Sequence, residues 1–394
     1  MRFQSYFNTD IRIIQLYDGA IPLAHFLKKY FSENKKHGSK DRKFITQACY
    51  NFYRLGFALK AISTEERLKI AIFLCNTNAG EWAILYDDDW LKRWNEQLRK
   101  KIYFIQSLYN FSVDDIFPFT DEVSSDLNRD NFNLSHLIQP DVFLRIRNNQ
   151  HEKVFSALHH HHIVFDKINE DCIAIENATK IDGIIEIDKD AVIQDYSSQR
   201  TKEFLEIIKS EIGNRKPQID VWDCCAGSGG KSILAHDVLQ NINLTTTDIR
   251  PSIIHNLKER FNKAGIKNYK AFVADISNPK SKIRNLEFDA IICDAPCTGS
   301  GTWSRTPEQL YFFQPQKIKE YQALQKKIVA NAISYLKRGS YFLYITCSVF
   351  KAENEDVIKF IQNNFQLTLI KSELLTGYNK KADTMFAALF KKVV

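Results

Sequence analysis

Ile219-Asp220-Val221-Trp222-Asp223-Cys224-Cys225-Ala226-Gly227-Ser228-Gly229-Gly230-Lys231-Ser232 reads as a buried strand, a glycine-rich turn and the opening of a helix. The same alternation continues downstream. Strands are expected over 244–248, 271–273, 288–293 and 341–345. A helix opens at Pro251, and a long one covers 315–336 until Gly339 ends it. A helix over 353–360 and strands over 366–370 and 386–391 complete the series. Such alternation makes an α/β fold with a parallel, doubly wound sheet, which binds ligands at the carboxyl ends of its strands.

Three ligands compete for the turn. A phosphate-binding loop needs glycine at position 225, where Cys225 stands, and a dinucleotide fingerprint fits Gly227 and Gly229 but fails at Ser232. S-adenosylmethionine carries no phosphate and instead needs a carboxylate at the next strand end for its ribose hydroxyls. Asp248 stands there, and Asp275 closes the following strand, where it can accept from the adenine amino group. Acidic strand ends suit a cationic methyl donor and repel a triphosphate. One such aspartate is most often a turn former. Three at successive strand ends, after a glycine-rich turn, point to a cofactor.

The next two strand ends carry sulfur. Asp294-Ala295-Pro296-Cys297-Thr298-Gly299 follows the fourth strand and Thr346-Cys347-Ser348 the fifth. Two thiols and a carboxylate in one crevice suit methylation at carbon 5 of a pyrimidine. A thiolate adding at C6 breaks the aromaticity and gives C5 carbanion character. A proton or hydrogen bond at N3, a task for Asp294, stabilises the adduct, and a second cysteine assists its release. Cys224 and Cys293 read as small core hydrophobes and Cys225 as a source of backbone contacts. The eight cysteines show no paired metal-ligand spacing, so no metal site is expected.

Upstream, the chain to about 135 is helical. Phe44, Ile45, Ala48, Phe52 and Leu55 recur at helical spacing, with Ser39 or Asp41 placed to cap their helix. Lys35, Lys36, Lys40, Arg42 and Lys43 crowd its entrance, as a solvated helix end or as a phosphate-contacting patch. From Gln139 a small mixed module begins, with strands expected over 142–147, 163–165, 172–175 and 183–187 and a helix over 152–160. The run of histidines at 159–162 reads as a solvated helix terminus, not a metal site. The 394 residues carry 54 basic and 47 acidic side chains, a net +7 that lends weak support to a polyanionic partner. No secretory signal or bilayer-length apolar run is present, so a soluble cytoplasmic protein without a membrane partner is expected.

Together these segments resemble the Sun (RsmB-like) family of RNA cytosine-5 methyltransferases. The family's Asp-x-Cys-Ala-Ala-Pro-Gly-Gly-Lys-Thr aligns without gaps on 223–232, and its Asp-Ala-Pro-Cys-Ser/Thr-Gly on 294–299. Its Thr-Cys-Ser-Val and Glu-Asn-Glu stand at 346–349 and 353–355. Gln194-Asp195-Tyr196-Ser197-Ser198-Gln199 resembles the motif preceding its catalytic domain, and Arg305-Thr306-Pro307-Glu308 its Arg-x-Pro-Asp/Glu loop. Asp41-Arg42-Lys43-Phe44 resembles part of its helical domain. One departure is Gly227-Ser228, where the family has Ala-Pro.

The resemblance implies an all-helical NusB-like RNA-binding domain over 1–138 and a small α/β RRM-like module over 139–197. A Rossmann-like class I methyltransferase domain follows over 198–394. It also implies an S-adenosylmethionine site at Cys225, Ala226, Gly227, Ser228, Gly229, Gly230, Lys231, Asp248, Asp275 and Asp294. Cys347 is then the nucleophile, Cys297 the product-release thiol and Asp294 the group at N3. DNA cytosine-5 methyltransferases instead attack with the cysteine of a Pro-Cys pair, which here is Cys297. The implied partner is RNA, small-subunit (16S) ribosomal RNA first, with no DNA, for a monomeric enzyme. Competing readings are the same chemistry on transfer RNA and a non-catalytic RNA-binding assembly factor.

Overall fold

The computed structural model describes residues 2–213, 216–279 and 286–393, which divide into two compact units. The first comprises the chain up to Asp121 with Asn128–Gln139 and Thr302–Gln314. Its helices Arg2–Leu16, Leu23–Glu33, Ser39–Arg54, Thr64–Cys75 and Leu98–Leu108 enclose aromatic side chains such as Phe7, Phe73 and Trp94. At the basic helix entrance the cap position falls on Gly38, not on Ser39 or Asp41. Asp41 acts from the third helical position, accepting from the Gly38 amide at 3.0 Å. Arg54 is sealed inside and donates to the carbonyls of His136, Ile138 and Ser304 at 2.9–3.0 Å. A buried guanidinium is tolerated because it satisfies carbonyls the loops leave unpaired. The segment Thr302–Gln314, which holds the Arg305–Glu308 motif, contributes helix Pro307–Tyr311 to this unit and not to the sheet-bearing one.

The second unit, Glu122–Leu127, Pro140–Gly301 and Pro315–Val394, holds two sheets. The smaller contains β1 (Val142–Ile146), β2 (Asp166–Lys167), β3 (Cys172–Ile175) and β4 (Ala191–Ile193), in the antiparallel order β2-β3-β1-β4. The strands expected at 163–165 and 183–187 do not form. Ile181 and Ile185 reach the core from a turn, so their apolar spacing reports burial without a ladder. The histidine run ends helix His151–His160 in exposed side chains, as a solvated terminus should.

The larger sheet contains β5 (Ile219–Asp223), β6 (Ile242–Asp248), β7 (Tyr269–Val273), β8 (Phe288–Asp294), β9 (Leu336–Thr346), β10 (Leu367–Leu375) and β11 (Met385–Lys392). Their order is β10-β11-β9-β8-β5-β6-β7, and the five strands β5 to β9 are mutually parallel. The expected wholly parallel sheet is corrected at one position. β11 runs antiparallel to both β9 and β10, because the connection from β10 is too short for a crossover. Both faces are buried. Val221 packs into the core with helix Gly230–Leu239, while Trp222 stacks on Phe288 at 5.2 Å. Each such side chain contributes about 1.5–3 kcal/mol by leaving water.

Gly339 does not end a helix. Helix Gln316–Ile333 stops earlier, and Gly339 lies within β9 at φ +72°, where the register with β8 slips between Phe288 and Ala290. A left-handed residue serves a bulge as well as a helix end. No helix among the described residues is long and apolar enough to cross a membrane.

Candidate active site

The parallel strands deliver their carboxyl ends to one edge. After β5 the chain turns through Gly227 at φ +52° and Gly229 at φ +87° into helix Gly230–Leu239. At Gly229 a side chain is excluded twice, by that backbone and by Phe261, whose ring would lie 2.8 Å from an added Cβ. Asp248, ending β6, accepts from the Gly227 amide at 3.0 Å and the Arg250 amide at 2.9 Å. Arg250 also grips it with two side-chain bonds. Burial alone raises that carboxyl; the Arg250 bonds and the Gly227 amide outweigh it and leave Asp248 below its ordinary range. Asp275 lies two residues beyond β7 and accepts from the amide and hydroxyl of Ser277 at 2.9 and 2.6 Å.

The Gly227-Ser228 departure has a visible consequence. Arg260 donates to the carbonyl and hydroxyl of Ser228 at 3.1 and 3.0 Å while pairing with Asp188 at 2.6 Å. A guanidinium thus braces the turn in place of a proline ring.

Beneath the turn, Asp223 accepts from Ser232 Oγ at 2.6 Å, and its other carboxyl oxygen is buried without a partner. Burial pushes this carboxyl up to about 7. A group that binds its proton more tightly in the folded state stabilises the fold at low pH, and that contribution disappears as pH rises through the folded value. Asp223→Asn is therefore expected to flatten a fall in stability of about 2–4 kcal/mol between about pH 4 and pH 7. Urea unfolding across that range checks it, and an unchanged pH slope would refute the assignment.

The sulfur-bearing ends meet. The Cys347 amide donates to Cys297 Sγ at 3.3 Å, and both side chains are half-buried. Hydrogen bonding to Cys297, then burial, pushes the Cys347 thiol up, against the pull of Lys231. Lys231 Nζ lies 3.2 Å from Asp294 Oδ2 and donates to Ser198 Oγ at 2.6 Å. Burial lowers that ammonium, but Asp294 and Cys347 outweigh it and hold Lys231 above its usual value. Ser198 is held in turn by Gln194, and Gln194 by Arg145. The upstream Gln194–Gln199 segment is thereby wired to Asp294.

Glu353 staples the two cysteine loops together. It accepts from the Thr298 amide at 2.9 Å, Thr298 Oγ1 at 2.5 Å, Gln325 at 3.0 Å and the Ser348 hydroxyl. Asn354 adds a bond to the Ser348 carbonyl at 2.9 Å. Sequence reasoning quoted Ser198, Asp223 and Glu353 inside motifs without assigning any of them a task of its own, and it passed over Arg250 and Arg260. Polar residues on helices and turns, such as Ser198, Arg260 and Glu353, are too common for sequence alone to single them out.

This strand order, with a glycine-rich turn after β5 and an acidic end on β6, defines a Rossmann-like methyltransferase domain. Over 98% of both chains the fold matches the crystal structure of PH0851, with a TM-score of 0.70 at 18% identity. NSun6 from Pyrococcus horikoshii, solved with SFG, matches 65% of this chain and 91% of its own at a TM-score of 0.55 and 15% identity. Residues 212–389 match the family described as 16S rRNA methyltransferase RsmB/F. Among curated relatives, the probable ribosomal RNA small subunit methyltransferase B of Bacillus subtilis is 25% identical over 235 residues. That match covers 58% of this chain, which spans about half (51%) of that relative's length.

Proposed function

We propose that this chain transfers a methyl group from S-adenosylmethionine to C5 of a cytosine in RNA, with small-subunit ribosomal RNA as the first substrate to test. The observation that carries the reading is Cys297 Sγ, 3.3 Å from the Cys347 amide, at adjacent strand ends beside Asp294. The RsmB/F domain supports the RNA substrate.

Cys225, Ala226, Gly227, Ser228, Gly229, Gly230 and Lys231, with Asp248, Asp275 and Asp294, would hold the donor. They suit it: Asp248 offers a buried carboxylate, and the unpartnered oxygen of Asp223 lies beneath the turn, ready to accept from an ammonium. When bound, the donor supplies an electrophilic methyl. Cys347 gives its proton to solvent and adds as a thiolate to C6, and Asp294, aligned by Lys231, protonates or hydrogen-bonds N3. After transfer the C5 proton passes to solvent, its bond pair restores the C5–C6 double bond, and the Cys347–C6 pair returns to the Cys347 sulfur, with Cys297 assisting this release. Because its neighbours raise the Cys347 thiol, the rate is expected to climb with pH from about 6 to about 9.

The test is base-resolution mapping of 5-methylcytosine after incubating the purified chain and S-adenosylmethionine with small-subunit ribosomal RNA and, separately, transfer RNA. One modified cytosine in the ribosomal RNA is expected. Methylation of transfer RNA alone would move the substrate, and no methylation of either would overturn the reaction.

A further inference from the structure

Three other sulfurs gather at the base of the glycine-rich turn. Those of Cys224, Cys225 and Cys293 all lie within 4.8 Å of one another. Cys224 and Cys225 follow β5, and Cys293 sits on the adjacent β8, whose Ile292 carbonyl accepts from the Cys224 amide at 2.9 Å. Cys224 and Cys293 are buried while Cys225 is half-buried, so the group has one open side. It is made of thiols alone.

Distance decides between two fates for such a group. A disulfide needs sulfurs about 2 Å apart and a narrow Cβ geometry, which sequence neighbours and directly adjacent parallel strands reach only with distortion. An ion bound at about 2.3 Å from each of three sulfurs holds them about 4 Å apart, near the spacing already present. Donor chemistry then selects the ion, because thiolates without oxygen or nitrogen ligands favour soft cations over Mg²⁺ or Ca²⁺.

We propose that Cys224, Cys225 and Cys293 form a three-thiolate site for one soft d¹⁰ cation of the Zn²⁺, Cd²⁺ or Cu⁺ class. Each thiol gives its proton to solvent as its metal–sulfur bond forms, and no oxidation state changes. Cys225 also lies in the turn proposed to hold the methyl donor, so metal binding is read directly and not through methylation.

The probe is Cd²⁺, titrated into the full chain carrying Cys297→Ser and Cys347→Ser, so that the other close thiol pair contributes nothing. Cadmium–thiolate charge-transfer absorption is the readout. One ion per chain is expected. Cys224→Ala, Cys225→Ser or Cys293→Ala in that background should weaken binding at least about tenfold, and Cys49→Ala should leave it unchanged. Cys225 is the least buried of the three, so Cys225→Ser settles the question should a core replacement unfold the chain. Absence of thiolate absorption, or an affinity indifferent to these replacements, overturns the site.

Discussion

Cys347→Ala is expected to abolish methyl transfer, by at least about 10⁴-fold, because no other group then starts the addition to C6. Cys297→Ala should behave differently. If Cys297 acts in release, its loss leaves the addition intact and strands the protein on its substrate, visible as an RNA-linked band that survives denaturation. The two residues lie side by side, 3.3 Å from the Cys347 amide to Cys297 Sγ, so each sulfur is a candidate for the attack. The pair of variants therefore tests the roles as well as the reaction. Full activity in Cys347→Ala, with a dead and adduct-free Cys297→Ala, would reverse the assignment.

Gly301→Ala should be nearly as damaging without touching a reacting atom. A Cβ there would stand 1.8 Å from the Thr384 carbonyl oxygen and 3.0 Å from that of Cys347. Both are backbone atoms one residue from a strand, β9 or β11, and both residues already bond to Gly301: its amide donates to Cys347, and its carbonyl accepts from Thr384, each at 2.9 Å. The loop has nowhere to retreat. A stability loss of about 3 kcal/mol or more is expected. The molecules that still fold should lose about 10²-fold in rate, since the Cys297 loop is displaced relative to Cys347. Gly213→Ala, whose nearest neighbour is the flexible Lys209 side chain at 3.4 Å, serves as the control and should stay within about 0.5 kcal/mol. Thermal melts and single-turnover methylation measure both, and a Gly301→Ala variant with native stability would sink the steric argument.

Much of the sheet-bearing unit was legible in the sequence. Runs such as those at 219–223 and 288–294 are apolar on both faces, which only strands covered on both sides require. Parallel strands end on one edge, so Asp248, Asp294, Cys297 and Cys347 were assigned to that edge once the alternation was recognised. The glycine-rich turn declared itself because left-handed backbone at Gly227 and Gly229 has few other residue choices.

Tertiary structure alone decided the rest. Residue spacing cannot say that Cys224 and Cys293 come within 4.8 Å, that Ser198 accepts from Lys231, or that Glu353 joins two loops. Those contacts depend on which strands are neighbours, a choice made by long-range packing of the whole sheet. The same holds for Gly339, whose need for a positive φ was evident while its place in a bulge of β9 was not. Local backbone preferences belong to each residue and travel with the sequence. The partners of a side chain belong to the folded chain, because they are set by burial that no short segment achieves by itself.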